Sequence, residues 1–244
     1  MSGNGYIFNK LIFNEDDLFS LVHKSVQQPG SFLLTYFNQF CFNVYIKDKK
    51  YKDIIDKFFY VYKDGFGIYC AFKLLKKQKL NKFNASDLNL KLLQLFSRLN
   101  LKIFVVGGNF QQAQLNENFI SLGANLAGYE NGFFETNELG SVAEHIKKSG
   151  ADVIFLGMGV PLQEKVALEL TKYLKNPKII CVGNFFEFLT GNIKRAPQYL
   201  RNSGFEWVYR LSKEPKRLWK RYIIGIPLFV YHILKIKFGK EHTQ

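Results

Sequence analysis

Cysteine is scarce in this chain: three in 244 residues, Cys41, Cys70 and Cys181, far apart and odd in number. No CxxC pair and no Cys/His ligand spacing occurs, which argues against a disulfide framework and a structural zinc site and for a reducing compartment. Cys70 (GIYCAF) and Cys181 (IICVG) stand among apolar residues, where core packing is the expected role. The four histidines, His23, His145, His232 and His242, form no pattern for a triad or a metal site. No DxD occurs, so the usual carboxylate pair for a nucleotide-sugar metal is missing, and no metal or cofactor is expected. GxGxxG and a ribose-binding acid are missing too, which speaks against a Rossmann-type oxidoreductase. The first residues, MSGNGYIFNK, lack the charged and apolar regions of a signal peptide. No apolar run reaches the roughly 18–20 residues that span a bilayer. Residues 222–234 come nearest and are interrupted by Gly225 and Pro227. The expectation is a cytoplasmic chain without a transmembrane segment.

Acidic residues are also scarce in one place in particular. Residues 194–240 hold twelve Lys/Arg against Glu206 and Glu214 alone, a net +10 out of the chain's +14. Trp207, Tyr209, Trp219, Tyr222, Phe229 and Tyr231 are interleaved with those charges. A charge run is usually a solvated face, but recurring aromatics weaken that explanation. From Lys216 onward a basic patch, an apolar run and further lysines follow one another, the pattern of an interfacial amphipathic segment. Each Lys or Arg near an anionic leaflet contributes on the order of 1 kcal/mol. The composition shift near Lys194 is the one candidate boundary. It divides the chain into a core, 1–193, and a basic, aromatic appendage, 194–244.

The remainder reads as a soluble α/β domain. Apolar residues make up 47%, with 25 Phe, ample for a core. Residues 101–108 (LKIFVVGG), 152–157 (DVIFLG) and 178–183 (KIICVG) are short apolar runs ending in glycine, about 25 residues apart or more, with helical patterns between them at 109–122 and 162–174. Residues 124–128 form a further short strand. Ser141 with Glu144 makes a capping box for another helix. Residues 31–37 (SFLLTYF) are a strand candidate, 53–59 and 67–77 look helical, and Ser86 caps an amphipathic helix through Leu99. The pattern implies βαβ units: a Rossmann-like, mostly parallel sheet flanked by helices, with the basic helical appendage added.

In open parallel sheets ligands bind beyond the carboxyl ends of the strands. Gly107-Gly108-Asn109 and Gly157-Met158-Gly159-Val160-Pro161-Leu162-Gln163-Glu164 each follow a strand and open a helix. Each is either a tight turn or a place where backbone N–H groups meet phosphate. Asp64, in Lys63-Asp64-Gly65-Phe66-Gly67, is either an Asp-Gly turn or a general base in a glycine-lined pocket. Asn38 ends a strand, as a cap or as a ligand for a sugar or base. Arginines among the aromatics after Lys194 suit phosphate, which their forks bind bidentately.

Taken in order, these motifs resemble the WecG/TagA/CpsF glycosyltransferase family (family 26). The match is strongest over 183–222: Gly191, Lys194-Arg195-Ala196-Pro197, Glu206-Trp207, Tyr209-Arg210-Leu211, Glu214-Pro215 with Arg217, and Arg221-Tyr222. The stretch from Gly157 through Gln163-Glu164, and Asp64-Gly65-Phe66-Gly67, follow. The resemblance implies an inverting transfer of an N-acetylhexosamine-type sugar from a UDP-sugar to a polyprenyl-diphosphate-linked sugar acceptor in bacterial envelope polysaccharide or teichoic acid synthesis. It implies Asp64 as catalytic base. Asn38, Lys82, Asp87, Gly107, Gly108, Gly157, Gly159, Gln163, Glu164, Arg195, Arg210, Arg217 and Arg221 become the expected binding residues. The appendage would then dock on the anionic inner face of the cell membrane and help complete the site, with a homo-oligomer as a further expectation. The chain departs from the family pattern at Tyr36 (Thr in the family), Lys82 (Arg), Ala85 (Gly) and Phe186 (Asp), near the expected sugar pocket. A non-catalytic nucleic-acid-binding protein is the rival that charge alone supports. No RNA- or DNA-binding motif accompanies it, and the apolar run beyond Arg221 has no purpose on a phosphate backbone, so no nucleic-acid partner is expected.

Overall fold

The computed structural model describes residues 6–76 and 84–239. The chain begins with α1 (Ile7–Lys10), β1 (Leu11–Ile12), α2 (Glu15–Gln27) and β2 (Phe32–Phe37). Next come α3 (Gln39–Lys47), α4 (Lys49–Phe58), β3 (Tyr60–Lys63), α5 (Gly65–Lys76) and α6 (Ala85–Arg98). The second half holds β4 (Lys102–Gly107), α7 (Gln112–Ser121), β5 (Asn125–Glu130), α8 (Leu139–Ser149), β6 (Val153–Gly157), α9 (Leu162–Leu170) and β7 (Lys178–Cys181). After β7 the chain is helical: α10 (Phe185–Leu189), α11 (Gln198–Ser203), α12 (Glu206–Lys213), α13 (Pro215–Trp219), a π turn (Lys220–Ile224) and α14 (Gly225–Phe238).

Among the described residues seven strands form one sheet in the order β1-β3-β2-β7-β6-β4-β5. Every pairing is parallel, so the expected mostly parallel sheet is wholly parallel. Such a sheet must be covered on both faces, which is why β2, β4 and β6 are near-continuous apolar runs rather than alternating ones. From β4 the chain moves outward to β5, then returns to lay β6 on the other side of β4. Neighbouring connections therefore diverge between β4 and β6, which opens a crevice at the carboxyl ends of those two strands.

Local details differ from the sequence expectation. The cap of α6 is Asn84, whose side chain accepts from the Asp87 N–H, and not Ser86. The capping box at Ser141 does not form: α8 begins at Leu139, and Glu144 pairs with Lys147 instead. The helix expected at 53–59 begins at Lys49, where Asp48 caps it. Cys181 is buried as expected, but Cys70 is exposed, because α5 is apolar on a face that the core does not cover.

The helices after residue 194 are not a loose extension. Phe229, Ile233 and Ile236 of α14 are buried in the same core as the strands. Phe229 meets Phe42 edge-on with ring centroids 5.3 Å apart. Asn43 donates to the Gly225 carbonyl at 2.7 Å, fastening α14 to α3. Among the described residues no helix is long and apolar enough to cross a membrane.

Candidate active site

Asp64 follows β3 and faces a cavity of about 700 Å³ between the carboxyl ends of β2 and β3, α5 and the helices that follow residue 198. Its backbone N–H donates to the Phe37 carbonyl at 2.9 Å. The carboxylate is held at both oxygens. Oδ1 accepts from the Ala85 N–H at 2.9 Å, and Oδ2 from Asn38 Nδ2 at 3.2 Å. Asn38 in turn caps α3, its Oδ1 accepting from the N–H groups of Phe40 and Cys41. The Asn38 side chain therefore caps α3, the first of the two uses expected of it, and its Nδ2 donates to Asp64, which neither use included. Ala85 stands where the family pattern has glycine, yet it contributes a backbone N–H, which a methyl side chain does not remove.

The cavity also receives Asp87, Arg201, Glu206, Arg210 and Arg221. Arg195 and Arg201 both bond Asp87, at 2.8 and 3.0 Å, tying the later helices to α6. Burial would raise the Asp87 carboxyl, but the bonds from Arg195 and Asn84 and the charge of Arg201 outweigh it and hold the group below its usual range. Arg221 lies over the Phe40 ring, 4.6 Å from its centroid, and Arg210 lies 5.6 Å from that of Phe188. The Nε atoms of Arg201, Arg210 and Arg221 are buried and have no hydrogen-bond partner among the described residues. A buried donor without a partner costs about 1–3 kcal/mol. Three arginines thus line one cavity, and guanidinium groups are suited to anions.

Sequence reasoning passed over three further cavity residues. Lys63 is 1% exposed, and burial lowers its ammonium to about 8. Burial first, then the nearby charge of Asp64, raises the Glu206 carboxyl. Arg201 carries no motif at all, and only its place in the basic stretch hinted at it. Glu206 could have been taken from the Glu206-Trp207 pair.

The glycine loops lie beside this cavity, at the crevice between β4 and β6, and not in it. Gly107 and Gly157 are register partners. A Cβ on Gly107, where φ is +140°, would stand 2.6 Å from the Gly157 carbonyl carbon and oxygen. Only two glycines let these strand ends approach so closely. Gly108 is covered by the Phe110 ring, while Gly159 faces open space. Tyr36, at the family's threonine position, connects the two regions: its hydroxyl would lie 2.6 Å from a Cβ on Gly183, at the end of β7.

Gln163 and Glu164 are fully buried and are not among the residues that line this cavity. Gln163 Oε1 accepts from the Gly183 N–H at 3.1 Å, and its Nε2 donates to Glu164 at 2.9 Å. Thr35 donates to the same carboxylate oxygen at 2.7 Å. Burial pushes the Glu164 carboxyl up to about 7. Arg195 stands behind Asp87, and Arg217 pairs with Glu214. At the family's aspartate position Phe186 is buried against Phe155 and Phe119. Lys82 lies outside the described residues. Thus Asn38, Asp64, Asp87, Arg210 and Arg221 meet at one cavity, and Gly107, Gly157 and Gly159 at the adjoining crevice. Gln163 and Glu164 support the loops from behind.

A sequence model of the Glycosyl transferase WecG/TagA/CpsF family matches residues 7–243. A relative from Bacillus subtilis (strain 168) is 28% identical over 201 residues, 80% of this chain and 76% of its own. Another, from Bacillus spizizenii (strain ATCC 23059 / NRRL B-14472 / W23), is 27% identical over 237 residues, 93% and 90%. Both are named N-acetylglucosaminyldiphosphoundecaprenol N-acetyl-beta-D-mannosaminyltransferase.

Proposed function

The chain belongs to the WecG/TagA/CpsF glycosyltransferase family, and from that premise we propose that it transfers an N-acetylhexosamine-type sugar, N-acetylmannosamine or a close derivative, from UDP to a polyprenyl-diphosphate-linked sugar, with inversion. The two relatives' names specify a diphosphoundecaprenol-linked N-acetylglucosamine acceptor and an N-acetylmannosaminyl product, which supports both halves of the reading. The observation that carries the mechanism is Asp64, fixed at both oxygens and ringed by arginines with unused donors.

In this reading Asp64 accepts the proton of the acceptor hydroxyl as its oxygen attacks the anomeric carbon. The bond from that carbon to the diphosphate oxygen breaks, and UDP leaves with the electron pair. Backbone N–H groups at the crevice between β4 and β6 and the arginines at the cavity offset the charge that develops. Both anions lie near the boundary between sheet and helices, so Arg201, Arg210 and Arg221 serve a donor or an acceptor diphosphate. Residues 1–193 act as the catalytic core and 194–244 as the appendage. The exposed apolar residues of α14, among them Leu228, Tyr231 and Phe238, with Lys235 and Lys237 beside them, support docking of that appendage on an anionic membrane surface. The reading requires no metal.

The test is UDP release from UDP-N-acetylhexosamines and their uronic acids, with and without a lipid-diphosphate-sugar acceptor. Acceptor-dependent release from one donor supports the reading and names that donor. Folded protein that releases nothing on vesicles overturns it. Asp64→Asn should lower turnover between about a hundredfold and ten-thousandfold; near-native turnover would remove Asp64 from the role of base.

A further inference from the structure

The cavity has two halves of opposite character. Asp64, Asp87 and the three arginines occupy one, and the other is almost wholly apolar. Its walls are two helices. From α5 come Phe66, Cys70 and Leu74, four residues apart and so on one face. From α14 come Ile226, Val230 and Leu234 at the same spacing. Facing helices in a core would interlock. Here Phe66, Leu74, Val230 and Leu234 remain 47%, 38%, 46% and 41% exposed. Phe229 and Ile233, buried to 5% and 3%, form the floor. Near the polar end Gly67 removes a side chain: a Cβ there would meet the Phe229 ring at 3.6 Å.

We propose that this apolar half is a slot for hydrocarbon, which holds the diphosphate-proximal part of the acceptor's prenyl chain inside the protein before the chain enters the bilayer. The inference rests on the reading of the acceptor as a polyprenyl diphosphate. Charge complementarity names the occupant. The guanidinium groups that line the cavity suit the diphosphate, and the apolar stripe that runs on from them suits the hydrocarbon joined to it. A nucleotide sugar has no apolar half to place there. From Phe66 to Leu74 the stripe is roughly 12 Å long at the helical rise per residue. The far side of α14 presents exposed Leu228 and Tyr231, with exposed Ile224 just ahead of the helix, so the same helix has one apolar face toward the slot and another toward lipid. The prenyl chain then leaves the protein where α14 meets the membrane. Position along the chain, as well as the two charged groups, fixes where the terminal sugar's hydroxyl stands relative to Asp64.

Two soluble probes test the slot apart from catalysis. Farnesyl diphosphate and methyl diphosphate are titrated into the full chain in detergent-free buffer below the aggregation limit of the longer probe. The expected result is binding of farnesyl diphosphate at least about tenfold tighter than methyl diphosphate. Val230→Trp and Leu74→Trp, at exposed positions where a large ring is tolerated, should each fill the slot and shrink that ratio toward one. Equal affinity for the two probes overturns the proposal, as does an unchanged ratio in both variants. Tight farnesyl binding without UDP release in any transfer assay would leave the slot standing and sink the transferase reading. Transfer to lipid acceptors with no chain-length preference in solution would do the reverse.

Discussion

Glu164 should make the stability of this protein fall as pH rises through the neutral range. Its carboxyl is fully buried. Oε1 accepts from Thr35 and Gln163, while Oε2 has no partner among the described residues. Burial raises the group from 4.5 to about 7 in the folded chain, so ionising it there costs about 3 kcal/mol of stability. Below the unfolded value both states carry the proton and the term vanishes. Between the two values the unfolded chain releases the proton while the folded chain retains it, so stability drops steadily. Above about 7 the loss is complete. Glu164→Gln keeps the carbonyl acceptor for Thr35 and Gln163 and removes the titration. Urea unfolding of both chains from about pH 5 to about pH 8 reads the difference. The variant should gain on the parent by about 2 kcal/mol across that range, roughly 1 M in midpoint. A gap between the two chains that does not change with pH would refute the assignment of a protonated, buried Glu164.

Three other outcomes are expected. Asp87→Asn should loosen Arg195 and Arg201, visible as faster amide exchange over residues 195–205 and lower turnover; because the Asp87 carboxyl is held below its usual range, the parent should lose the same anchorage only as pH falls through that lowered value. Arg221→Met should lower kcat/KM by about ten- to a hundredfold with the fold intact, since it removes a charge-assisted donor and leaves an apolar chain on Phe40; unchanged kcat/KM would show that Arg221 meets no anion. Gly107→Ala should cost about 2 kcal/mol or more in urea unfolding, because the new methyl enters the Gly157 carbonyl at a backbone angle alanine resists.

The central strands could be read from sequence because a wholly parallel sheet buries both faces, and β4, β6 and β7 are therefore unbroken apolar runs ended by glycine. The amino-terminal elements could not. β1 has two residues, and α3 is apolar on several sides because it lies between the sheet, α4 and α14. Asn84 and Ser86 are both capping residues two positions apart, and only the backbone path chooses between them. Cys70 misled because an apolar helix face signals burial, whether the apolar neighbour is a core or an open slot. Asp64 could be found as a strand-end carboxylate before glycines. Its partners could not, since Asn38, Ala85 and the arginines come from segments up to 183 residues apart in the sequence. Gln163 and Glu164 follow a glycine loop and are polar, so they looked like pocket residues. Nothing in the local sequence separates a side chain on the surface of a loop from one buried behind it.

The fastening of α14 to α3 changes what a shortened protein would report. The helix proposed for docking also supplies Phe229 to the core and one wall to the cavity. A chain cut ahead of Pro215 would bare the Phe42 ring, release Asn43 from Gly225 and leave the apolar slot with a single side. Inactivity of such a fragment in free solution, with no vesicle present, would be expected from the missing wall alone. The proposed attachment to a membrane and the walling of the cavity would fall to one helix, and point substitutions on its opposite faces, Tyr231 outward and Ile233 inward, are what would separate them.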